Sequence, residues 1–153
     1  GNPKGIRGVH DLARPDVRFV NRQPHSGTRL AVEQLLAQAG VDPARVQGFD
    51  TAEPTHLAVA AAVASNLADA GFGIQAAAAE FGLDFIPVMR EQYYFVCLKE
   101  AVDVAPISTL RELLGRSAWQ EGIRDLPGYD TAGAGQVISL SRALRWYAFR
   151  TPK

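Results

Sequence analysis

Phe19-Val20-Asn21-Arg22-Gln23-Pro24-His25-Ser26-Gly27-Thr28-Arg29 is the stretch on which the chain turns. An apolar run ends at Val20, and a helical spacing begins near Thr28, carried by Leu30, Val32, Leu35, Leu36 and Ala39. Gly40 then reads as the helix stop. Between strand and helix stand Ser26, Gly27 and Thr28, with Arg22 and Arg29 on either side. The first N–H groups of a helix lack intrahelical partners and carry partial positive charge, so they favour anions. Gly27 has no Cβ and admits a ligand close to the backbone. Ser26 and Thr28 add hydroxyl donors, and the two arginines add charge and forked donors suited to oxyanions. The same residues also read as an ordinary capped helix, with Ser26 as N-cap and the arginines in solvent.

Upstream, residues 1–17 hold turn formers and a short apolar turn at Val9–Ala13, stopped by Pro15. Residues 18–21 predict the first strand. Downstream, Asp42-Pro43 opens a connector and residues 46–49 predict a second strand. Strand, helix and strand at this spacing predict a βαβ unit with a parallel sheet. The Ala/Val run ending at Asn66 predicts a second helix, apolar on nearly every face and therefore buried. Thr51 or Glu53 is the expected cap, with Pro54 in the first turn. The start of this helix offers a second anion contact through Thr55 and His56. A satisfied, partly buried histidine is the other reading of His56.

Residues 68–73 predict a short strand and turn, and residues 74–81 a short Ala-rich helix. Residues 85–89 and 93–98 predict strands, the second rich in aromatic and β-branched side chains. Helices are predicted over 106–114 and 117–125, the latter with Ser117 and Gln120 as a capping box. Residues 137–149 form a mixed segment whose Arg142 and Arg145, with Arg150 beyond, read as a solvated or packing helix.

Composition sets the bounds. The 153 residues suit one domain, or one and part of another, and 47% hydrophobic content is enough for a core. Zero net charge gives no argument for nucleic acid or a membrane surface. The single cysteine, Cys97, excludes an internal disulfide framework and a multi-cysteine metal site, and its apolar setting predicts a buried thiol. No run reaches the roughly 18 apolar residues of a membrane span, and no signal pattern opens the chain. A cytoplasmic protein is expected. Gly1-Asn2-Pro3-Lys4-Gly5 reads as the middle of a loop, so a longer parent is expected as well.

Catalytic signals are thin. Gly71-x-Gly73-x-x-Ala76 matches a dinucleotide fingerprint only superficially, because a long helical stretch precedes it and no acidic partner follows. A Walker loop is absent. His10, His25 and His56 have no metal-ligand spacing. His25 beside Ser26 lacks a third residue to orient it, and no carboxylate pair stands out. Binding is favoured over catalysis, with no catalytic residue, metal ligand or cofactor assigned and the parent's enzymatic status open.

Taken together, these residues form a family pattern. The chain resembles the second lobe of type II periplasmic-binding-protein-like domains, and more narrowly those fused to molybdenum-linked proteins. Such proteins include winged helix-turn-helix regulators and molybdopterin molybdotransferase-like proteins. The resemblance rests on Asn2-Pro3-Lys4-Gly5-Ile6, Phe19-Val20-Asn21-Arg22-Gln23, Ser26-Gly27-Thr28-Arg29, the run from Thr55-His56-Leu57 to Ala64-Ser65, Ala68-Asp69-Ala70-Gly71, Leu83-Asp84-Phe85-Ile86-Pro87 and Pro127-Gly128-Tyr129-Asp130. It implies an α/β lobe with a mixed, mainly parallel sheet and helices on both faces. Residues 1–98 would form the second lobe, and residues 99–153 helices and a tail belonging partly to an absent first lobe. Tyr93 to Leu98 would be the return crossing strand.

The Arg-x-x-x-Ser-Gly-Thr spacing also resembles phosphate-binding members of the superfamily. That resemblance implies a tetrahedral oxyanion, molybdate or tungstate favoured, on Arg22, Ser26, Gly27 and Thr28. Arg29, Thr55 and His56 complete the expected ligand set, with a small organic ligand or a bare interaction module as the alternative. A fused upstream domain, and dimerisation through exposed apolar surface, are the implied partners. Two residues depart from the family pattern: His25 and Asn66 each stand where glycine is usual.

Overall fold

The computed structural model describes residues 1–145 and divides the chain into two compact units, Gly1–Gln92 and the segment from Tyr93 on. In the first unit, β1 (Phe19–Arg22) leads into α1 (Gly27–Gln38), β2 (Ala52–Glu53), α2 (His56–Ala64), β3 (Ala70–Gly71) and α3 (Gln75–Glu80). The sheet order is β2-β1-β3, and both pairings are parallel. Asn21 and Arg22 register with Ala52 and Glu53, and Phe19 and Val20 with Ala70 and Gly71.

Alternation along β1 builds both faces of the sheet, because successive strand residues point to opposite sides. Phe19 packs with Val32 and Leu36 of α1, together with Ile6, Leu12, Val17 and Val46. Val20 packs on the other face with Val59 and Ala62 of α2 and with Ala68. Full burial of a side chain such as Leu36 contributes about 1.5–3 kcal/mol. The alanines of α2 let that helix approach the sheet closely. A Cβ on Gly71 would lie 2.4 Å from Val59 Cγ1, so glycine is required there.

The chain leaves β1 toward β2 on one side and then crosses back to β3 on the other. Right-handed crossovers in opposite directions put α1 and α2 on opposite faces. The reversal falls at the carboxyl end of β1, where open α/β sheets take their ligands.

Both helices of the crossovers end in glycine-type stops. Gly40 lies at φ +65°, with Gly40 N–H bonded to Ala37 O and Val41 N–H to Leu36 O. Asn66 lies at φ +60° with the matching bonds, Asn66 N–H to Val63 O and Leu67 N–H to Ala62 O. The left-handed helix end read from Asn66 is therefore present.

Several local expectations are corrected. Residues 46–49 form no strand. Phe19 N–H bonds to Gln47 O, but the chain loops out at 48–50 and the ladder resumes at Asn21 N–H to Thr51 O. Gly48 makes the loop possible, at φ +87° and pressed against Phe19 O. The cap of α2 is Thr55, not Thr51 or Glu53; its Oγ1 accepts from Ala58 N–H at 3.0 Å, and Pro54 precedes the helix.

Residues 85–89 and 93–98 form no strand among the described residues. Phe95, Val96 and Leu98 are about three-quarters exposed. Strand preference reflects fit to a half-buried pleated surface, and no such surface meets them. Cys97, expected to be buried, is exposed in the same run.

The second unit carries α4 (Ile107–Gly115), α5 (Ser117–Arg124) and α6 (Leu140–Ala143). The Ser117–Gln120 capping box does not form. Arg116 is the N-cap without a side-chain bond, and Gln120 Nε2 donates to Leu114 O instead. Of the segment 137–149, positions 146–149, and Arg150 beyond them, lie outside the described residues. No helix among the described residues is long and apolar enough to cross a membrane.

Candidate functional site

Two helix N-termini open at the carboxyl edge of the sheet. Ser26 caps α1, its Oγ accepting from Arg29 N–H at 3.1 Å and its carbonyl from Leu30 N–H. Thr55 caps α2 in the same way, through Ala58 N–H and Val59 N–H. Each cap satisfies two of the end donors, which leaves the N–H groups of Gly27 and Thr28, and of His56 and Leu57, directed out of the helices. A Cβ on Gly27 would meet nothing within 4 Å, so the approach to the α1 end is open.

Arg22 ends β1 beside Glu53 of β2. One terminal nitrogen of its guanidinium donates to Pro54 O at 3.0 Å, while Nε is buried without a partner. His56 Nδ1 is likewise buried and unpartnered, and Gly73 lies against it. Burial holds the imidazole below its ordinary proton affinity, the Arg22 charge adds to this, and Glu91 opposes it. A buried polar group left unsatisfied costs about 1–3 kcal/mol. Arg111 Nε in the second unit is also buried without a partner, so among the described residues the first unit holds two such nitrogens, Arg22 Nε and His56 Nδ1.

Arg22, Ser26, Gly27, Thr28, Thr55 and His56 thus share one edge. The guanidinium of Arg29 is turned elsewhere. Its Nε meets Glu33 at 2.8 Å, one terminal nitrogen donates to Phe49 O at 2.9 Å, the other lies 3.5 Å from Asp50, and the group stacks 4.0 Å over the Phe49 ring. Only the Arg29 backbone N–H joins the α1 cap.

Asn21, which lies in the Phe19-Val20-Asn21-Arg22-Gln23 segment but to which no motif assigns a site role, is the fully buried link between these groups. Its Nδ2 donates to Phe49 O at 3.2 Å, and its Oδ1 accepts from Arg22 N–H at 2.9 Å. A polar residue directly after the apolar run Phe19-Val20 is the trace it leaves in the sequence. His25, in the loop between Arg22 and Ser26, lies at φ +67°. A glycine would hold that conformation without strain.

Among the described residues no cluster of three or more His, Cys, Asp or Glu side chains could hold a metal ion. An open depression of about 630 Å³ lies on the 43–51 loop, lined by Pro43, Val46 and Phe49 among others. It gathers no converging charged donors, so the chemistry stays at the strand ends.

A parallel α/β lobe with its helix N-termini gathered at a topological switch point is the architecture of a small-ligand-binding domain. The chain belongs to the PBP superfamily domain family, which it matches over residues 1–115. It is 40% identical over 138 residues to the uncharacterized protein YvgK of Bacillus subtilis (strain 168), a match covering 90% of this chain and 44% of that protein. The chain therefore spans less than half the length of this relative. It is also 26% identical over 111 residues to an uncharacterized protein in the ferredoxin 2Fe-2S gene 5' region of Clostridium pasteurianum, covering 72% of this chain and 98% of that protein. No solved structure matches the chain.

Proposed function

We propose that this chain is one lobe of a two-lobed module that binds a small tetrahedral oxyanion. One observation carries the reading: the buried, unpartnered nitrogens of Arg22 and His56 stand at the same sheet edge as two capped helix N-termini. Arg22 would supply charge, and the N–H groups of Gly27, Thr28, His56 and Leu57 would supply donors. The hydroxyls of Ser26 and Thr28 would add direction. Arg29 would act from behind, holding the loop that carries Phe49.

Molybdate or tungstate is favoured through the resemblance to domains of molybdenum-linked proteins. The parent would be a regulator or a cofactor-biosynthesis protein, with any catalysis in another domain. Closure of the complementary lobe would carry the signal, provided the anion binds the closed state more tightly. Exposed Phe95, Val96 and Leu98 fit a surface covered by that lobe or by a second copy.

The test is thermal stability of the full-length protein against molybdate, tungstate, phosphate, sulfate and small carboxylates. A ligand selective for the native state adds about 2.7 kcal/mol at one hundred times its dissociation constant. A shift with molybdate or tungstate that is lost in Arg22→Ala with Thr28→Ala supports the reading. No shift with any oxyanion overturns it and leaves an organic ligand.

A further inference from the structure

Asn21 is fully buried in a strand whose preceding residues, Phe19 and Val20, are apolar. Its backbone N–H bonds to Thr51 O on the β2 side, and Gln23 N–H bonds to Glu53 O on the same side. Successive strand N–H groups point in opposite directions, so the Arg22 N–H faces the β3 side. The pairing of β1 with β3 ends at Val20 and Gly71, which leaves that N–H past the last rung. Asn21 Oδ1 accepts it at 2.9 Å. The other end of the same amide donates to Phe49 O at 3.2 Å, a carbonyl that also accepts from Arg29 at 2.9 Å.

An amide performs both tasks at once, one as donor and one as acceptor. A carboxylate would set an oxygen against the Phe49 carbonyl, and an aliphatic side chain would leave the Arg22 N–H without its partner. A strand end that needed only packing would be served by an apolar residue, as it is at Phe19 and Val20. The polar side chain therefore answers to its neighbour, Arg22.

We propose that Asn21 is a positioning residue of the oxyanion site, acting through Arg22 rather than on the ligand. The inference rests on the oxyanion reading above and adds to it how Arg22 is aimed. Asn21 fixes the Arg22 backbone, while Pro54 O holds one terminal nitrogen of its guanidinium at 3.0 Å. With both ends of the side chain fixed, Nε stays buried at the sheet edge. A ligand that meets a donor already in place loses less of its binding free energy to ordering it. Buried partners that orient the ligands of a metal typically contribute about 10–100-fold to its affinity. One neutral hydrogen bond does the orienting here, so an effect of about tenfold is expected.

The experiment is calorimetric titration of the full-length protein with molybdate, well below the melting transition of each variant. Asn21→Leu is compared with Val17→Ala, which weakens the packing just ahead of β1, at its other end, where Val17 is fully buried. The Arg22 Nε–H resonance, assigned by its loss in Arg22→Ala, is followed in parallel by NMR. The expected result is affinity about tenfold weaker in Asn21→Leu and unchanged in Val17→Ala, although both are less stable than wild type. At saturating molybdate the Arg22 Nε–H signal should move less in Asn21→Leu than in wild type. If Asn21→Leu does not fold, Asn21→Ser carries the same comparison. Unchanged affinity in the Asn21 variant, an equal loss in Val17→Ala, or an undiminished Arg22 Nε–H response overturns this inference alone. Absence of wild-type binding by molybdate and every other oxyanion overturns the site reading and this inference with it.

Discussion

Arg18 and Asp69, fifty-one residues apart, close a two-bonded fork where β1 and β3 begin, with NH2 to Oδ1 at 2.9 Å and Nε to Oδ2 at 3.0 Å. Arg18 N–H adds a third bond to Oδ2 at 2.8 Å, and Lys4 Nζ reaches the same oxygen at 2.7 Å. One carboxylate thus fastens the N-terminal segment to two strands at the edge opposite the candidate site. The Arg18 hydrogen bonds hold the Asp69 carboxyl well below the usual carboxylate range, with Lys4 contributing.

Asp69→Asn should lower stability at neutral pH by about 1 kcal/mol, a figure reduced because solvent screens the Arg18 side of the pair. The sign with pH is fixed by the depressed titration. The stabilisation is complete above the unfolded carboxylate value of about 3.9 and is lost as pH falls toward the folded value. Urea midpoints of wild type and variant should therefore converge as pH is lowered from about 5 to about 2. A difference that persists at the acid end would refute the carboxylate's role.

Gly48→Ala should destabilise the first unit. Its Cβ would lie 2.2 Å from Phe19 O, and φ +87° is strained for any side chain. Both faults act on β1 itself, so a loss of more than about 2 kcal/mol is expected by urea denaturation. Gly27→Ala is the contrasting case. Nothing lies within 4 Å of its Cβ, so stability should hold or rise by up to about 1 kcal/mol, while oxyanion affinity falls.

How legible this architecture is in the sequence depends on the range of the forces involved. Ser26, Gly40 and Asn66 mark helix ends through local rules, and the structure places a cap and two left-handed stops at those positions. The loop at 48–50 depends on contact with Phe19, far away in sequence, so residues 46–49 look like a plain strand. Residues 93–98 have the composition of a strand, but composition does not show whether a sheet edge receives them. The residues at the carboxyl edge could be named from motif and capping rules. The unpartnered state of Arg22 Nε and His56 Nδ1, and the turning away of Arg29, arise only from packing.

His25→Gly and Asn66→Gly compare two left-handed positions. A non-glycine residue in that region is disfavoured by roughly 1–2 kcal/mol, less for Asn, whereas glycine adds entropy to the unfolded chain. His25→Gly should therefore raise stability by up to about 1 kcal/mol, and Asn66→Gly should change it by a few tenths at most. Thermal melting of the two variants beside wild type reads the difference. A large gain at Asn66 would show that its side chain is strained after all.

Ser26→Ala and Thr55→Ala each remove one capping bond and should each cost about 1 kcal/mol, while Ser26→Gly should cost only a few tenths. The helices they cap pack on opposite faces of the sheet and the two caps share no hydrogen bond, so the double variant should lose close to the sum. Chemical denaturation tests this. A double variant much less stable than the sum would mean that the two helix ends share an interaction beyond their separate caps.

Arg29→Ala separates support from ligand contact. The Arg29 side chain is 12% exposed and its guanidinium is engaged by Glu33, Phe49 O, Asp50 and the Phe49 ring. Removing it strips one of the two donors from Phe49 O, leaving Asn21 Nδ2 alone, and uncovers an aromatic face. A stability loss of about 1–3 kcal/mol is expected from the lost charged bonds and the stack. Arg29→Lys keeps the charge but not the fork, so it should recover little of that loss. If Arg29 only braces the loop, oxyanion affinity should change far less in either variant than in Arg22→Ala. The same titration should show affinity in Arg29→Lys tracking wild type even though its melting temperature does not. An affinity collapse in Arg29→Lys equal to that of Arg22→Ala would instead bring the Arg29 guanidinium out of its place over Phe49 and into contact with the anion.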